Sequence, residues 1–168
     1  MKIELLSKNH DRKGFDCNNK ELNIFLQQTA RQHIKKGISR TFVLLDDKTQ
    51  NITGFFSLTA CEICSDRLPA KYAKKYPAIV PGIKLARLAV SKEKQGKGMG
   101  TKLMVNAIKR SIIISEQLGI IGLFVDAKNE DARKFYQKFG FISMVDNSLD
   151  LFLPISTLQK AYEIAKRI

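Results

Sequence analysis

Three glycines at alternate positions, Gly96, Gly98 and Gly100, stand between the apolar run Leu88-Ala89-Val90 and a helix-periodic run that begins at Leu103. Strand, glycine-rich loop and helix start therefore follow one another in Lys84–Met104, an order that sets a helix N-terminus just past the end of a strand. The loop sits where the first N–H groups of a helix have no intrahelical partner, and glycine lets the backbone turn left-handed and approach a ligand closely. Such a turn collects anions, phosphate foremost. It is neither of two common phosphate loops: it lacks the Gly-Lys-Ser/Thr ending of a nucleotide P-loop, and its glycines miss the spacing of the dinucleotide fingerprint. A flexible turn between strand and helix has the same composition, so the loop alone leaves both readings open.

Composition narrows the setting. A chain of 168 residues suits one domain, residues 1–168, that buries its own core without metal or disulfide staples. It has no long apolar run and no cleavable leader, so a cytoplasmic protein with no membrane partner is expected. Twenty-nine Lys and Arg against sixteen Asp and Glu give a net charge of +13. That excess favours polyanions such as nucleic acid and disfavours polyamine substrates, although lysine also serves solubility. The cations cluster as Arg31, His33, Lys35, Lys36 and Arg40, then as Arg67, Lys71, Lys74 and Lys75, and a third time around the glycine loop. Three cysteines make no disulfide framework, and Cys61 and Cys64 fall three apart in an expected strand, on opposite faces. With only His10 and His33 in the chain, no metal constellation presents itself.

In chain order, Met1–Leu6 reads as an edge strand. A helix follows in which Asn18 and Glu21 have capping-box spacing and Leu22, Phe25, Leu26 and Thr29 face inward, with Gly37 as its stop. Thr41–Leu45 and Ile52–Ile63 form a hairpin, and Ser65–Val80 a loop with a short helical insert. The central strand spans Ile83–Val90. The next helix, ended by Gly119, carries Leu103, Met104, Ala107, Ser111 and Ile114 on one face. Ile120–Asp126 is a strand buried on both faces. Asn129 caps a helix with Ala132, Phe135, Tyr136 and Phe139 on its apolar stripe, stopped by Gly140. Phe141–Val145 and Leu149–Leu153 close the sheet, and Ser156 starts a last helix.

Gln95-x-x-Gly98-x-Gly100 and Asn129-x-x-Ala132-x-x-Phe135-Tyr136-x-x-Phe139-Gly140-Phe141, in that order, resemble the motifs of the GNAT N-acetyltransferases. Phe15-Asp-Cys17-Asn-Asn-x-x-Leu22-Asn-x-Phe25-Leu26, Ala30-Arg31-Gln32, Arg40–Leu44 and Ala86-Arg87-Leu88-Ala89-Val90 extend the resemblance to the TacT-like branch of GNAT toxins, from about Phe15 to Pro154. Two positions depart from that pattern: Asn18 where glycine is expected after Cys17, and Ala86 where glycine often precedes Arg87. The resemblance implies an α/β fold, a centrally splayed mixed sheet with helices on both faces, and acetyl-CoA as cosubstrate without a metal. It implies acetylation of the α-amine of aminoacyl-tRNA, a block of translation, a ribbon-helix-helix antitoxin as partner and a homodimer.

The same resemblance distributes roles. Backbone groups of Leu88, Ala89 and Val90 would pair with the pantetheine arm and polarise the thioester carbonyl. Gln95, Gly96, Lys97, Gly98, Met99, Gly100, Thr101 and Lys102 would hold the pyrophosphate, and Asn129, Ala132 and Phe135 would flank the coenzyme. Tyr136 is the expected general acid, although its place on an apolar stripe also suits a packed core tyrosine. Arg31, Lys35, Lys36, Arg40, Arg67, Lys71, Lys74 and Lys75 are the candidate tRNA contacts; Arg87 is a further one unless it is buried and structural. Two other readings remain open at this stage: a GNAT enzyme acting on a small amine or a protein N-terminus, and a non-catalytic basic module that binds nucleic acid.

Overall fold

The computed structural model describes residues 1–168. Its elements are strand β1 (Lys2–Leu5), helix α1 (Lys20–Ile24), a π-helical segment (Phe25–Thr29), α2 (Ala30–Lys36), β2 (Arg40–Leu45), β3 (Ile52–Cys64), the single turn α3 (Ala70–Ala73), β4 (Ile79–Val90), α4 (Met99–Ser115), β5 (Gly122–Asp126), α5 (Glu130–Gln137), β6 (Ile142–Ser143), β7 (Asp150–Pro154) and α6 (Leu158–Arg167). The strands form one seven-stranded sheet in the order β1-β2-β3-β4-β5-β7-β6. Pairing is antiparallel for β1–β2, β2–β3, β5–β7 and β6–β7 and parallel for β4–β5, so the sheet is mixed, as the sequence implies.

Two compact units share these elements. Residues 1–59 with 86–107 make the first, and residues 60–85 with 108–168 the second, so β3 and β4 run through both. In the first unit Phe15, Phe25, Leu26, Ala30, Val43, Leu45 and Phe55 form the core, with Phe15 edge-on to Phe55 and Phe25 stacked on it. A buried Thr41–Ser57 hydroxyl pair at 2.6 Å ties β2 to β3, satisfying two polar groups that would otherwise be stranded in that core. In the second unit Leu68, Val80, Ile121, Phe124, Met144 and Phe152 pack together, and Tyr72 meets Phe152 edge-on at 5.5 Å. Gly122 is required there, because a Cβ would run into the Leu153 carbonyl across the β5–β7 ladder.

Several boundaries move from their sequence expectation, each for a local reason. Asn19, not Asn18, caps α1: its side chain accepts the Leu22 N–H at 3.1 Å, while Asn18 turns left-handed at φ 63°. Asparagine tolerates that conformation best after glycine, so the Asn18 departure preserves the backbone that a glycine would give. The Ala30 N–H reaches back five residues to the Phe25 carbonyl, and this wider turn brings Ala30 rather than Thr29 into the core. Helix α4 stops at Ser115, short of Gly119; the β-branched run Ile112–Ile114 is a weak helix former, and the Ser115 hydroxyl bonds the Ile112 carbonyl at 2.6 Å. Strand β4 begins at Ile79 rather than Ile83, and β6 shortens to two residues. Ser156 does not cap α6; Thr157 precedes it, and its hydroxyl donates to the Pro154 carbonyl instead.

Candidate active site

Past Lys84, β4 loses its partner on one side. It pairs with β5 only at Ile83↔Leu123 and Lys84↔Phe124, so the stretch through Leu88, Ala89 and Val90 offers backbone groups on that side to no strand. A free strand edge of this kind suits an extended, amide-bearing ligand. Gly54 lets β3 come close behind it: a Cβ there would stand 3.0 Å from both the Ala89 carbonyl oxygen and a Leu103 methyl.

The loop that follows is anchored at its root. The Ser91 N–H donates to the Thr53 carbonyl at 2.9 Å and the Lys92 N–H to the Asp16 carbonyl at 2.8 Å. The Gln95 side-chain amide donates to the carbonyls of Val90, 3.0 Å, and Cys17, 3.1 Å. Beyond this root the chain opens out. Gly96 and Gly98 adopt φ of 72° and 79°, and a Cβ on either would touch nothing, so backbone conformation rather than space requires glycine there. No backbone carbonyl receives the N–H of Gly96, Lys97 or Gly98, and the Lys102 N–H bonds the Gly98 carbonyl at 3.2 Å, which leaves the Met99, Gly100 and Thr101 donors free at the head of α4. Exposed Lys97 and Lys102 add positive charge, and buried Met99 pins the turn to the core. The donor set fits a pyrophosphate.

A cleft of about 340 Å³ lies beside the loop root, but its charges face one another. Lys92 pairs with Asp16 at 3.1 Å and Lys94 with Asp46 at 3.5 Å. The backbone N–H of Asn18, then the Asn23 amide, then Lys92 hold the Asp16 carboxyl down at about 2.

In the second unit, the Asn129 side chain accepts the Ala132 N–H at 2.9 Å and starts α5 as expected. Phe135 is half-buried, edge-on to Tyr136 at 5.3 Å and to Phe139 at 5.2 Å. Tyr136 is buried against Phe135 and Phe141, its hydroxyl bonds no other group of the chain, and burial pushes its pKa up to about 12. The phenol therefore stays protonated throughout the neutral range.

The candidate cations divide. Arg31, Lys35, Lys36, Lys71, Lys74 and Lys75 are exposed. Lys71 and Lys75 lie 5.2 and 5.8 Å from the Tyr72 ring centre. Arg40 is exposed too, with a guanidinium nitrogen on the Ile34 carbonyl at 3.2 Å. Arg67 is committed elsewhere: it bonds Asp146 at 2.7 Å and Asp150 at 2.6 Å, a strut that fastens the turn after β3. Arg87 lies flat on Phe25, its guanidinium carbon 3.6 Å from the ring centre. The Gln95 brace, the Phe25 platform and the Gly54 approach were not read from the sequence; each joins residues far apart in the chain, and no local spacing announces them. No three His, Cys, Asp or Glu residues converge as metal ligands would.

A strand with one free edge, running into a glycine-braced nest at a helix head, suits an extended ligand that carries a pyrophosphate, and residues 37–143 match the acetyltransferase (GNAT) domain family. The chain belongs to that family. Among its relatives is the tRNA-acetylating toxin of Mycobacterium tuberculosis (strain ATCC 25618 / H37Rv), 31% identical over 140 residues, which span 83% of each chain. Among solved structures, AtaT complexed with acetyl-methionyl-tRNAfMet superimposes with a TM-score of 0.88 at 32% identity, over 96% of this chain and 98% of that one. AtaTR bound with acetyl-CoA gives 0.82 at 32%, over 96% and 97%. An AtaT mutant bound to the C-terminus of the antitoxin AtaR gives 0.78 at 31%, over 95% and 96%.

Proposed function

We propose that this protein is a toxin that transfers acetyl from acetyl-CoA to the α-amine of aminoacyl-tRNA and thereby blocks translation. The observation that carries the reading is the near-full-length likeness to AtaT complexed with an acetylated aminoacyl-tRNA, in a chain that has its own pyrophosphate nest. Acetyl-CoA supplies an acetyl group activated as a thioester. The N–H groups from Gln95 to Thr101, with Lys97 and Lys102, hold its pyrophosphate; the free edge at Leu88–Val90 takes the pantetheine amides and polarises the reacting carbonyl. Asn129, Ala132 and Phe135 flank the coenzyme, and Tyr136 gives its proton to the departing thiolate. An α-amine titrates near ~8 and a lysine amine near ~10, so an aminoacyl end presents far more neutral nucleophile at neutral pH.

Arg31, Lys35, Lys36, Arg40, Lys71, Lys74 and Lys75 meet tRNA phosphates, whereas Arg67 keeps to its carboxylates. The protein works as a homodimer, as a single catalytic domain per chain, in the cytoplasm where charged tRNA is found. No helix is long and apolar enough to cross a membrane. A ribbon-helix-helix antitoxin restrains it. The test is transfer of labelled acetyl to a pool of charged tRNA, with deacylated tRNA, small amines and peptides alongside. Label confined to charged tRNA is expected; label on amines or peptides instead would move the function to another GNAT substrate.

A further inference from the structure

Arg87 is half-buried, it forms no ion pair and no hydrogen bond with the chain, and loss of hydration pulls its pKa below the ordinary guanidinium value. A cation left so is costly unless something outside the chain completes it. Its position is fixed from below: the guanidinium lies 3.6 Å over Phe25, a buried ring that in turn stacks on Phe55 and meets the His33 edge at 5.5 Å. Phe25 opens the π-helical segment, and such wide turns recur at functional sites. Stacking occupies one guanidinium face and leaves the in-plane N–H donors free, the geometry that grips a phosphate with two parallel bonds. In sequence Arg87 immediately precedes Leu88, where the free edge of β4 takes the reacting arm.

We propose that Arg87, held flat on Phe25, grips the phosphodiester of the acceptor's 3′-terminal nucleotide and so positions the aminoacyl end for transfer. This rests on the aminoacyl-tRNA reading above. The loop phosphates are a poor alternative occupant, since the nest at Gly96–Thr101 already supplies their donors. Arg87 is thus a positioning residue, distinct from the exposed cations that attract tRNA without selecting a particular phosphate.

The test uses the full-length protein and a charged acceptor-stem minihelix, made with a normal or a neutral methylphosphonate linkage at the last phosphodiester. In the wild type the neutral linkage should cut kcat/KM about tenfold or more, mainly through KM; in Arg87→Gln the same change should cost nothing further. Arg87→Lys, which keeps the charge and loses the fork, should fall between them. An equal methylphosphonate penalty in wild type and Arg87→Gln would overturn the contact while leaving the activity standing. Absence of label on the unmodified charged minihelix in the wild type would instead overturn the proposed activity, and the contact with it. Melting curves of both variants matching the wild type keep the comparison free of folding effects.

Discussion

Tyr136 shows how a residue can belong to a core and still be poised for chemistry. Its ring fills an aromatic cluster, and that same burial raises the phenol to about 12, so the group never loses its proton in the working range. The pH profile of kcat/KM should rise as the acceptor amine loses its proton near ~8 and show no acid-group decline until well above pH ~10. A fall near neutrality would assign the acid to another residue. Tyr136→Phe should fold like the wild type, by circular dichroism and melting, and lose roughly 10²- to 10⁴-fold in turnover; unchanged turnover would remove Tyr136 from the mechanism. The Gln95 amide makes a different kind of prediction. Gln95→Ala deletes two hydrogen bonds that tie the loop root to Val90 and Cys17, so calorimetric affinity for acetyl-CoA should weaken by roughly tenfold. Tyr136 was legible in the sequence because its spacing from Asn129 matches a motif; the Gln95 brace was not, because Cys17 lies 78 residues away and only the fold brings it near.

Among elements, the strand-loop-helix of β4 and α4 was the easiest to read. Its glycines sit where left-handed backbone is needed, and local conformational preference is what a sequence records most directly. The π-helical segment was harder. Leu22, Phe25 and Leu26 fit an α-helical stripe, which extrapolates to Thr29, and only the close packing around Ala30 reveals the extra residue in the turn. Gly54 was silent for the same reason: a glycine inside an apolar strand says that something comes near, without saying what. Gly54→Ala is therefore a test of the element. A Cβ pressed against the Ala89 carbonyl and Leu103 should shift β4 at the reacting edge. Acetyl-CoA affinity is expected to drop while the secondary structure stays intact, and unaltered affinity would mean that the strand tolerates the methyl.

For the whole molecule, the net charge of +13 acts at a range no single contact reaches. If the exposed cations neutralise three or more phosphates, raising monovalent salt from about 50 to about 200 mM should weaken charged-tRNA binding by roughly tenfold or more, with acetyl-CoA binding much less affected. A salt-independent KM for tRNA would detach the charge excess from substrate capture. The fold was recoverable from the sequence because glycine turns, helix caps and apolar periodicity agreed along its length; the partners of Arg67 and Arg87 were not, because a cation looks the same in sequence whether it faces an acid, a ring or water. The wide turn at Phe25–Thr29 carries a consequence for the gene as well. Removing one codon there would return the helix to its regular winding, and Ala30, then four residues past Phe25 instead of five, would keep its N–H on the same carbonyl. The reading frame would survive, Ala30 would stay in the core, and Arg31, Lys35 and Lys36 would keep the direction they face now. Deletion of exposed Gln28 should therefore leave the melting curve close to that of the wild type, whereas deletion of one residue from the regular turns of α4, which rotates all that follows by about 100°, should not.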